Sequence, residues 1–500
     1  MSSPIQPIKE NASMVVFGAS GDLAKKKTFP ALFSLFKDGR LSSDLVIVGY
    51  ARSKIEPNDF IERITQFIKI DDNDSETKQK LEQFKKMCTY YRGSYDGVDS
   101  FQGLNNHLLE REGDREERNR VFYLALPPDV FVSVSTQLKQ QCYPQKGAAR
   151  LIIEKPFGFD LDSARDLQSK LNPLFDENEI YRIDHYLGKE MVQNLTHLRF
   201  CNPVISHLWN KESISNVQIT FKEPIGTEGR GGYFDTSTIV RDIVQNHLVQ
   251  VLSLIAMEPP TSLAAGDLRD AKVQALRRTR LGDLKDVVFG QYVKSKDGKR
   301  PGYLDDDTVP EGSKCPTYSA IPFFVDNDRW DGVPFLLKAG KAMDVGKVEV
   351  RVQFKPVANG LFKDAHRNEL VIRIQPNEAV YFKLDIKQPG ISSKPLLTDL
   401  DLTYKNRFTN MKLHEAYEAL FFDAFAGDQS RFARIDELEC AWSLVGPLLE
   451  YMEKEKPQPA PYEYGSNGPE LLGNFLQKFG YVYDIPDYYE YPVTNLPDDK

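Results

Sequence analysis

Cysteine is scarce in this chain: five residues in 500, at Cys88, Cys142, Cys201, Cys315 and Cys440. The number is odd, the spacings are wide and no CxxC pair occurs, which argues against a zinc site and a secreted disulfide framework and for reduced thiols. No apolar run reaches the roughly 18 residues that a membrane-spanning helix needs. The opening segment MSSPIQPIKEN lacks the apolar stretch of a secretory signal and has too little arginine for a transit peptide, so a cytoplasmic location is expected. Positive charge is not in excess either: 64 Lys+Arg against 72 Asp+Glu leave a net charge of −8. That balance excludes a basic nucleic-acid binder, and 41% apolar residues exclude a disordered chain. No repeat of fixed period is visible. At this length two or more domains are expected.

In the first third, short apolar runs alternate with amphipathic stretches. Residues 14–17, 45–48, 121–126 and 151–153 are bounded by Gly or Pro breakers and read as buried strands of a parallel sheet. Residues 59–70 and 129–141 read as helices between them, giving a βαβ rhythm and a doubly wound domain. Pro30 marks either a helix start or a kink. The tracts 71–80 and 110–120 are polar and read as loops or frayed helix ends. Beyond about residue 185 the pattern changes. Residues 348–354, 370–374 and 380–386 alternate apolar and polar, as strands of an antiparallel sheet with one covered face. Stretches 239–257, 414–425 and 437–454 read as helices available to cover it. The expected fold is therefore an α/β Rossmann-like dinucleotide-binding domain over residues 1–183, then an α+β domain over residues 184–500 with a large mixed, mainly antiparallel sheet. The tail tyrosines Tyr481, Tyr483, Tyr488, Tyr489 and Tyr491 are expected to dock on something.

Gly18-Ala19-Ser20-Gly21-Asp22-Leu23 follows the first strand and opens a helical stretch. Gly18 permits a tight turn, Gly21 permits backbone approach to a pyrophosphate, and the helix start offers free N–H groups. The loop is shorter of glycine than a full GxGxxG, and alone it is also a glycine turn of any α/β protein. At the end of the second strand stands Arg52, where an NAD enzyme would carry Asp or Glu. A guanidinium there suits a 2′-phosphate, so NADP is the expected coenzyme. Asp22, beside the phosphate, reads as a helix cap.

Two polar segments carry the chemistry. In Arg182-Ile183-Asp184-His185-Tyr186-Leu187-Gly188-Lys189, helical spacing would put His185 and Lys189 on one face as phosphate donors. In Arg241-Asp242-Ile243-Val244-Gln245-Asn246-His247, the stripe Ile243, His247, Val251, Ile255 turns His247 inward. Inward histidines are often only satisfied core residues; the functional reading is a buried general base, with Asp184 a candidate partner. Lys155 closes a strand in EKPFG, at the end of the sheet where ligands of such folds bind. The segment Gly226-Thr227-Glu228-Gly229-Arg230-Gly231-Gly232 reads as a tight connection rather than a phosphate cradle.

Taken together, GASGDLAKKK, EKPFG, RIDHYLGKE and the stretch from GTEGRGGYFD to RDIVQNHL resemble the glucose-6-phosphate dehydrogenase family, in its fungal-like form, from about residue 12 to the tail. RIDHYLGKE is the specific signature. The resemblance implies oxidation of glucose 6-phosphate at C1 to the lactone, with hydride passed to NADP, at the head of the oxidative pentose phosphate pathway. It implies a homodimer or homotetramer formed through the large sheet, and no metal. It implies His247 as the base, with Asp184 orienting it. Lys155, His185, Tyr186, Lys189, Glu223, Asp242, Lys341 and Gln375 are implied as substrate contacts. Gly18, Ala19, Ser20, Gly21, Asp22, Leu23, Ala24, Lys25, Arg52 and Lys155 are implied as the coenzyme site. Some members hold a second, structural NADP, and Lys338, Lys347, Arg351, Arg373, Tyr381, Lys383, Asp401, Thr403 and Tyr483 match that site. The chain departs from the pattern in three places: Gly346 stands where many members have arginine, Lys338 replaces an arginine, and Asn467 replaces one in YGSNGP. Lysine and asparagine lack the guanidinium fork, which weakens the grip on phosphate.

Overall fold

The apolar runs of the first third become adjacent strands of one parallel sheet in the computed structural model, which describes residues 7–492 apart from Lys9, Asp72, Asn359, Ser392, Asp487 and Tyr488. Its strands are β1 (Ala12–Phe17), β2 (Val46–Ala51), β3 (Cys88–Arg92), β4 (Asn119–Leu124), β5 (Ala149–Ile153) and β6 (Ile180–Arg182), in the order β3-β2-β1-β4-β5-β6. That is the dinucleotide-binding order. Strands β1 and β2 are buried on both faces, and their side chains alternate between two cores. Met14, Val16 and Ile47 enter one core with Phe29, Leu32 and Phe36; Val15, Phe17 and Val48 enter the other with Phe101, Leu104 and Phe131. The apolar-run pattern does not reveal β3, a half-exposed edge strand, or β6, which has three residues.

Local chemistry accounts for most differences from the sequence pattern. The tract 71–80 contains the start of a helix, Ser75–Met87, because the Asp74 carboxylate accepts the Thr77 amide at 2.8 Å. The tract 110–120 holds the end of the helix Val98–Glu112 and the start of β4. Pro30 stands in the first turn of the α-helix Phe29–Lys37, so the helix starts near it, one of the two expected outcomes. A π-helical segment, Ala24–Thr28, runs directly into it. Helix Ala416–Ala426, expected over the second sheet, instead packs on the first: Tyr417, Leu420, Phe421 and Phe425 join the core of Met14 and Ile47. The helix ends at Gly427 in the left-handed region, and the buried Arg150 guanidinium satisfies the Phe425 carbonyl at 2.9 Å.

The chain falls into two compact units. The first comprises Met1–Lys189, Thr261–Arg269 and His414–Glu439; the second comprises Glu190–Pro260, Asp270–Leu413 and Cys440–Lys500. The second is built on a ten-stranded sheet of β7 (Ile214–Lys222), β8 (Thr279–Leu281), β9 (Val288–Val293), β10 (Tyr318–Val325), β11 (Pro334–Gly340), β12 (Lys347–Phe354), β13 (Glu369–Gln375), β14 (Ala379–Lys387), β15 (Pro395–Thr403) and β16 (Ala460–Glu463). Its order is β15-β14-β13-β12-β7-β11-β10-β9-β16, with β8 beside β10. Pairings β7–β11 and β9–β16 are parallel and the others antiparallel, so the sheet is mixed and mainly antiparallel as expected. The helical stretch Val240–Ala256 lies against β7 and β11. Its last carbonyls are capped by Arg199, Trp209 and Trp330. The tail docks on the same unit. Gln353 and Val482 exchange hydrogen bonds of 2.9 and 3.0 Å, and the Tyr491 ring lies on Tyr381. Tyr488 falls outside the described residues.

Candidate active site

In the first unit the glycine loop leaves the end of β1. The Gly18 and Ala19 amides donate to the Tyr50 carbonyl of β2, at 2.9 and 3.2 Å, and the Gly21 amide returns to the Gly18 carbonyl at 2.9 Å. Gly18 has φ 75°, and a Cβ there would lie 2.2 Å from the Ala125 carbonyl oxygen, so only glycine fits. Ala19 and Ala24 bury their methyls in the core and Leu23 packs beside them, which leaves the backbone as the face the loop presents. Asp22 does not take up the capping role expected of it. Its carboxylate bonds Lys25 and Lys26, at 2.8 and 3.1 Å, and these hydrogen bonds lower its pKa to about 2. Arg52 follows β2 and lies 5.2 Å above the Tyr95 ring, while Arg92 donates to its carbonyl. Arg63, which the sequence pattern did not single out, donates to the Ser20 carbonyl. Arg63 is the basic residue in the last turn of helix Pro57–Thr65, a position that marks it only once the loop is known to lie nearby.

The segment 184–189 is not an α-helix. Successive i→i+3 bonds, Leu187 to Asp184, Gly188 to His185 and Lys189 to Tyr186, wind it into turns ahead of helix Glu190–Phe200. His185 and Lys189 are each placed beside Tyr186 by these turns rather than by helical spacing. The His185 and Tyr186 rings are 5.0 Å apart, and the Lys189 ammonium lies 5.2 Å from the centroid of the Tyr186 ring. Asp184 is buried, and its Oδ1 accepts the Tyr186 amide at 2.9 Å. Lys155 follows β5, directly after a buried Glu154 that accepts from Tyr123 and Tyr417.

In the second unit His247 is 1% exposed, on a π-helical segment, Val240–Leu248, and its ring lies parallel to Phe221 at 6.4 Å. Ile243, Val251 and Ile255 are buried with it, so the inward stripe is present. The segment follows Thr238, whose φ 59° and ψ 165° break the helix Gly231–Ile239. Such a conformation costs on the order of 1–3 kcal/mol in a residue with a Cβ, and strain of this kind concentrates at functional segments. Lys341, just beyond β11, bonds Glu223 at 2.5 Å and stands 3.9 Å from Asp242. These three expected substrate contacts thus form one cluster. Gln375 ends β13 at the same end of the sheet; its register partner Val348 pairs in turn with Phe221, which sets it two strands, roughly 10 Å, away. The loop 226–232 is a tight connection, as expected. Its Gly229 and Gly231 amides and the Thr227 hydroxyl all donate to one Asp306 oxygen, at 3.1, 3.2 and 3.1 Å, so a carboxylate of the chain itself fills the nest.

The family description "Glucose-6-phosphate dehydrogenase, NAD binding domain" matches residues 15–194, and "Glucose-6-phosphate dehydrogenase, C-terminal domain" matches residues 196–484. The chain belongs to the glucose-6-phosphate dehydrogenase family. It is 77% identical over 499 residues to glucose-6-phosphate 1-dehydrogenase of Schizosaccharomyces pombe, with 100% of each chain covered. It is 53% identical to the enzyme of the same name from Emericella nidulans, covering 98% of this chain and 95% of that one. A solved glucose-6-phosphate dehydrogenase in complex with its substrate glucose-6-phosphate superposes with a TM-score of 0.92 at 50% identity, over 97% of this chain and 100% of that one. The Mycobacterium avium structure gives 0.80 at 33%, over 94% and 97%.

Within this family member, most residues matching the second nucleotide site lie on β11 to β15 and are already paired. Glu349 takes Lys347 at 3.1 Å and Arg351 at 2.7 Å; Glu369 takes Arg351 at 3.0 Å and Lys383 at 3.1 Å. Lys338 donates to Gln218 at 2.7 Å, and burial lowers its pKa to about 7. Asn467 accepts from Lys222 at 2.7 Å. Tyr491 stacks on Tyr381 with centroids 3.7 Å apart, bonds Thr403 at 2.8 Å and Asp401 at 3.2 Å, and carries the Arg373 guanidinium on its ring at 4.8 Å. Tyr483 stands apart, 75% exposed. At the Gly346 departure, Lys347 is turned to Glu349.

Proposed function

We propose that this chain oxidises D-glucose 6-phosphate at C1 to 6-phospho-D-glucono-1,5-lactone with NADP as hydride acceptor, using His247 as general base. The observation that carries this is a buried imidazole on a segment that also supplies Asp242 to the Glu223–Lys341 cluster. A neutral imidazole takes the O1 proton as hydride leaves C1, and a carboxylate stabilises the imidazolium; Asp184 is assigned that part. His185, Tyr186 and Lys189 bind the 6-phosphate and supply remote binding energy that orients C1. Glu223, Asp242, Lys341 and Gln375 are assigned to the sugar hydroxyls, and Lys155 to substrate and coenzyme.

The first unit fits NADP on its own chemistry. Gly18 leaves room where any Cβ would collide with Ala125, the helix start supplies amides, and Arg52 supplies a fork for the 2′-phosphate. When bound, the coenzyme takes up the hydride. The cluster on β11 to β15 does not fit a second nucleotide in the same way. Lys347, Arg351 and Lys383 are held by Glu349 and Glu369, and the Tyr381 face is covered by Tyr491. We assign it as self-paired.

The chain is assigned to the cytoplasm; among the described residues no helix is long and apolar enough to cross a membrane. A homodimer or homotetramer through the large sheet is supported by exposed apolar side chains on its outer strands, Ile386 and Leu400. Light scattering on the eluted protein reads the mass. For the chemistry, His247→Asn is expected to lower kcat by about 10²–10⁴-fold with KM for glucose 6-phosphate near wild type. Activity surviving within about tenfold would remove His247 as the base.

A further inference from the structure

Glu154 immediately precedes Lys155 at the end of β5, and its carboxylate is buried. Its Oε1 accepts two phenols, Tyr123 of β4 at 2.8 Å and Tyr417 of helix Ala416–Ala426 at 2.9 Å. The Tyr417 ring lies parallel to His185 at 6.2 Å and 11°. The turn that carries His185 sits directly on that helix: a Cβ at Gly188 would come 2.6 Å from the Ala416 carbonyl oxygen. One buried carboxylate thus joins the strand end that presents Lys155 to the helix that backs His185.

We propose that Glu154 and Tyr417 are positioning residues for Lys155 and His185, holding the two ligand-facing segments of this unit in one arrangement. The proposal rests on the assignment of Lys155 and His185 to ligand contact. Neither Glu154 nor Tyr417 reacts. The carboxylate orients both phenols as donors, and Tyr417 fixes the plane on which the imidazole rests. Burial lifts the Glu154 pKa to about 6, against the two phenols and the neighbouring Lys155 charge and amide, which favour ionisation. The other groups facing this hub are Thr28, which bonds Tyr123, and Asp184, which faces Tyr417. Above about pH 6 the hub is an anion accepting two hydrogen bonds; below it a proton competes with the phenols for the carboxyl oxygens.

The test compares steady-state constants of Glu154→Gln and wild type at two pH values, with unfolding temperature measured alongside. Gln keeps the size and removes the charge. At pH 8 the variant is expected to raise KM for glucose 6-phosphate and for NADP by about tenfold, with kcat within about threefold. At pH 5.5 the ratio of variant to wild-type KM should fall below about threefold, because wild-type Glu154 is then largely protonated. Titration of the substrate phosphate cancels in that ratio. Tyr417→Phe keeps the ring and removes one donor, with about threefold in KM expected and no further loss when combined with Glu154→Gln. Unchanged KM values at pH 8, or a ratio equal at both pH values, overturns the proposal. If Glu154→Gln does not fold, Tyr417→Phe and Tyr123→Phe carry the same comparison. Lys155→Ala and His185→Ala separate the two readings. If they raise KM while Glu154→Gln does not, only the positioning role falls; if they leave KM unchanged, the ligand assignment falls first.

Discussion

Two regions of this chain match nucleotide sites of the family, and they are built from different materials. The loop after β1 is built from backbone: the Gly18, Ala19 and Gly21 amides bond to β2 and within the turn, and the side chains of Ala19 and Ala24 turn into the core. The cluster on β11 to β15 is built from side chains: Lys347, Arg351, Arg373 and Lys383 around Glu349, Glu369 and Tyr381. A turn fixed by its own backbone hydrogen bonds, with small side chains packed into the core, keeps its shape without a ligand. Long cationic side chains find carboxylates. A cation already paired in a buried network offers an incoming phosphate only the difference between two good interactions. A motif match alone treats the two regions alike; their packing separates them.

The contrast can be broken or sharpened in order of expected effect. Gly18→Val puts a branched side chain at φ 75° against the Ala125 carbonyl. Coenzyme affinity should fall by more than about 100-fold, read by isothermal titration with NADP, and the unfolding temperature should drop as well. Arg52→Ala is expected to raise KM for NADP by about tenfold or more with little change for NAD, since the role proposed for the guanidinium fork concerns only the 2′-phosphate. Equal effects on both coenzymes would sink that role.

On the other region, Glu349→Gln removes the carboxylate shared by Lys347 and Arg351. About 3 kcal/mol of stability should be lost in urea unfolding, because the half-buried Lys347 loses this carboxylate and Arg351 keeps only Glu369. The same variant should gain affinity for NADP at this cluster, seen as a second bound equivalent in equilibrium dialysis, while coenzyme KM at the first site is unchanged. The pH dependence has a definite sign. Burial works to raise the Glu349 pKa, but Arg351 and Lys347 outweigh it and hold the carboxyl well below the usual range. Its contribution is therefore full above the unfolded value of about 4.3 and is lost as pH falls below it; the variant should lack that part of the acid-unfolding slope. Tyr491→Ala uncovers Tyr381 and is the mildest change, with about 1 kcal/mol expected from the lost ring stack and its hydroxyl bonds.

Much of the first unit was legible because its signals are local. Short apolar runs ended by glycine or proline mark β1, β2, β4 and β5. The βαβ rhythm then limits how they can be arranged. Edge strand β3 and the three-residue β6 carry weak patterns, and the helix starting at Ser75 depends on one capping carboxylate within a polar tract. The helix Ala416–Ala426 was assigned to the wrong sheet, because amphipathic spacing says that a face is buried but not against what. The turn at 184–189 shows the same limit at the site. His185, Tyr186 and Lys189 were singled out by type, while their grouping follows from i→i+3 turns rather than a helix.

By itself, the sequence determined the βαβ rhythm of β1, β2, β4 and β5, the glycine loop, Arg52 in place of an acidic residue, and the inward face that carries His247. These are properties of neighbours along the chain, where propensity and periodicity act. Only the tertiary structure decided which charges meet. It brought Lys341 to Glu223 and Asp242, closed the nest at 226–232 around Asp306, paired Lys347 and Arg351 with Glu349, and set Glu154 between Tyr123 and Tyr417. Ion pairing and burial depend on distances of a few ångströms between residues tens or hundreds of positions apart, and no spacing along one chain encodes them.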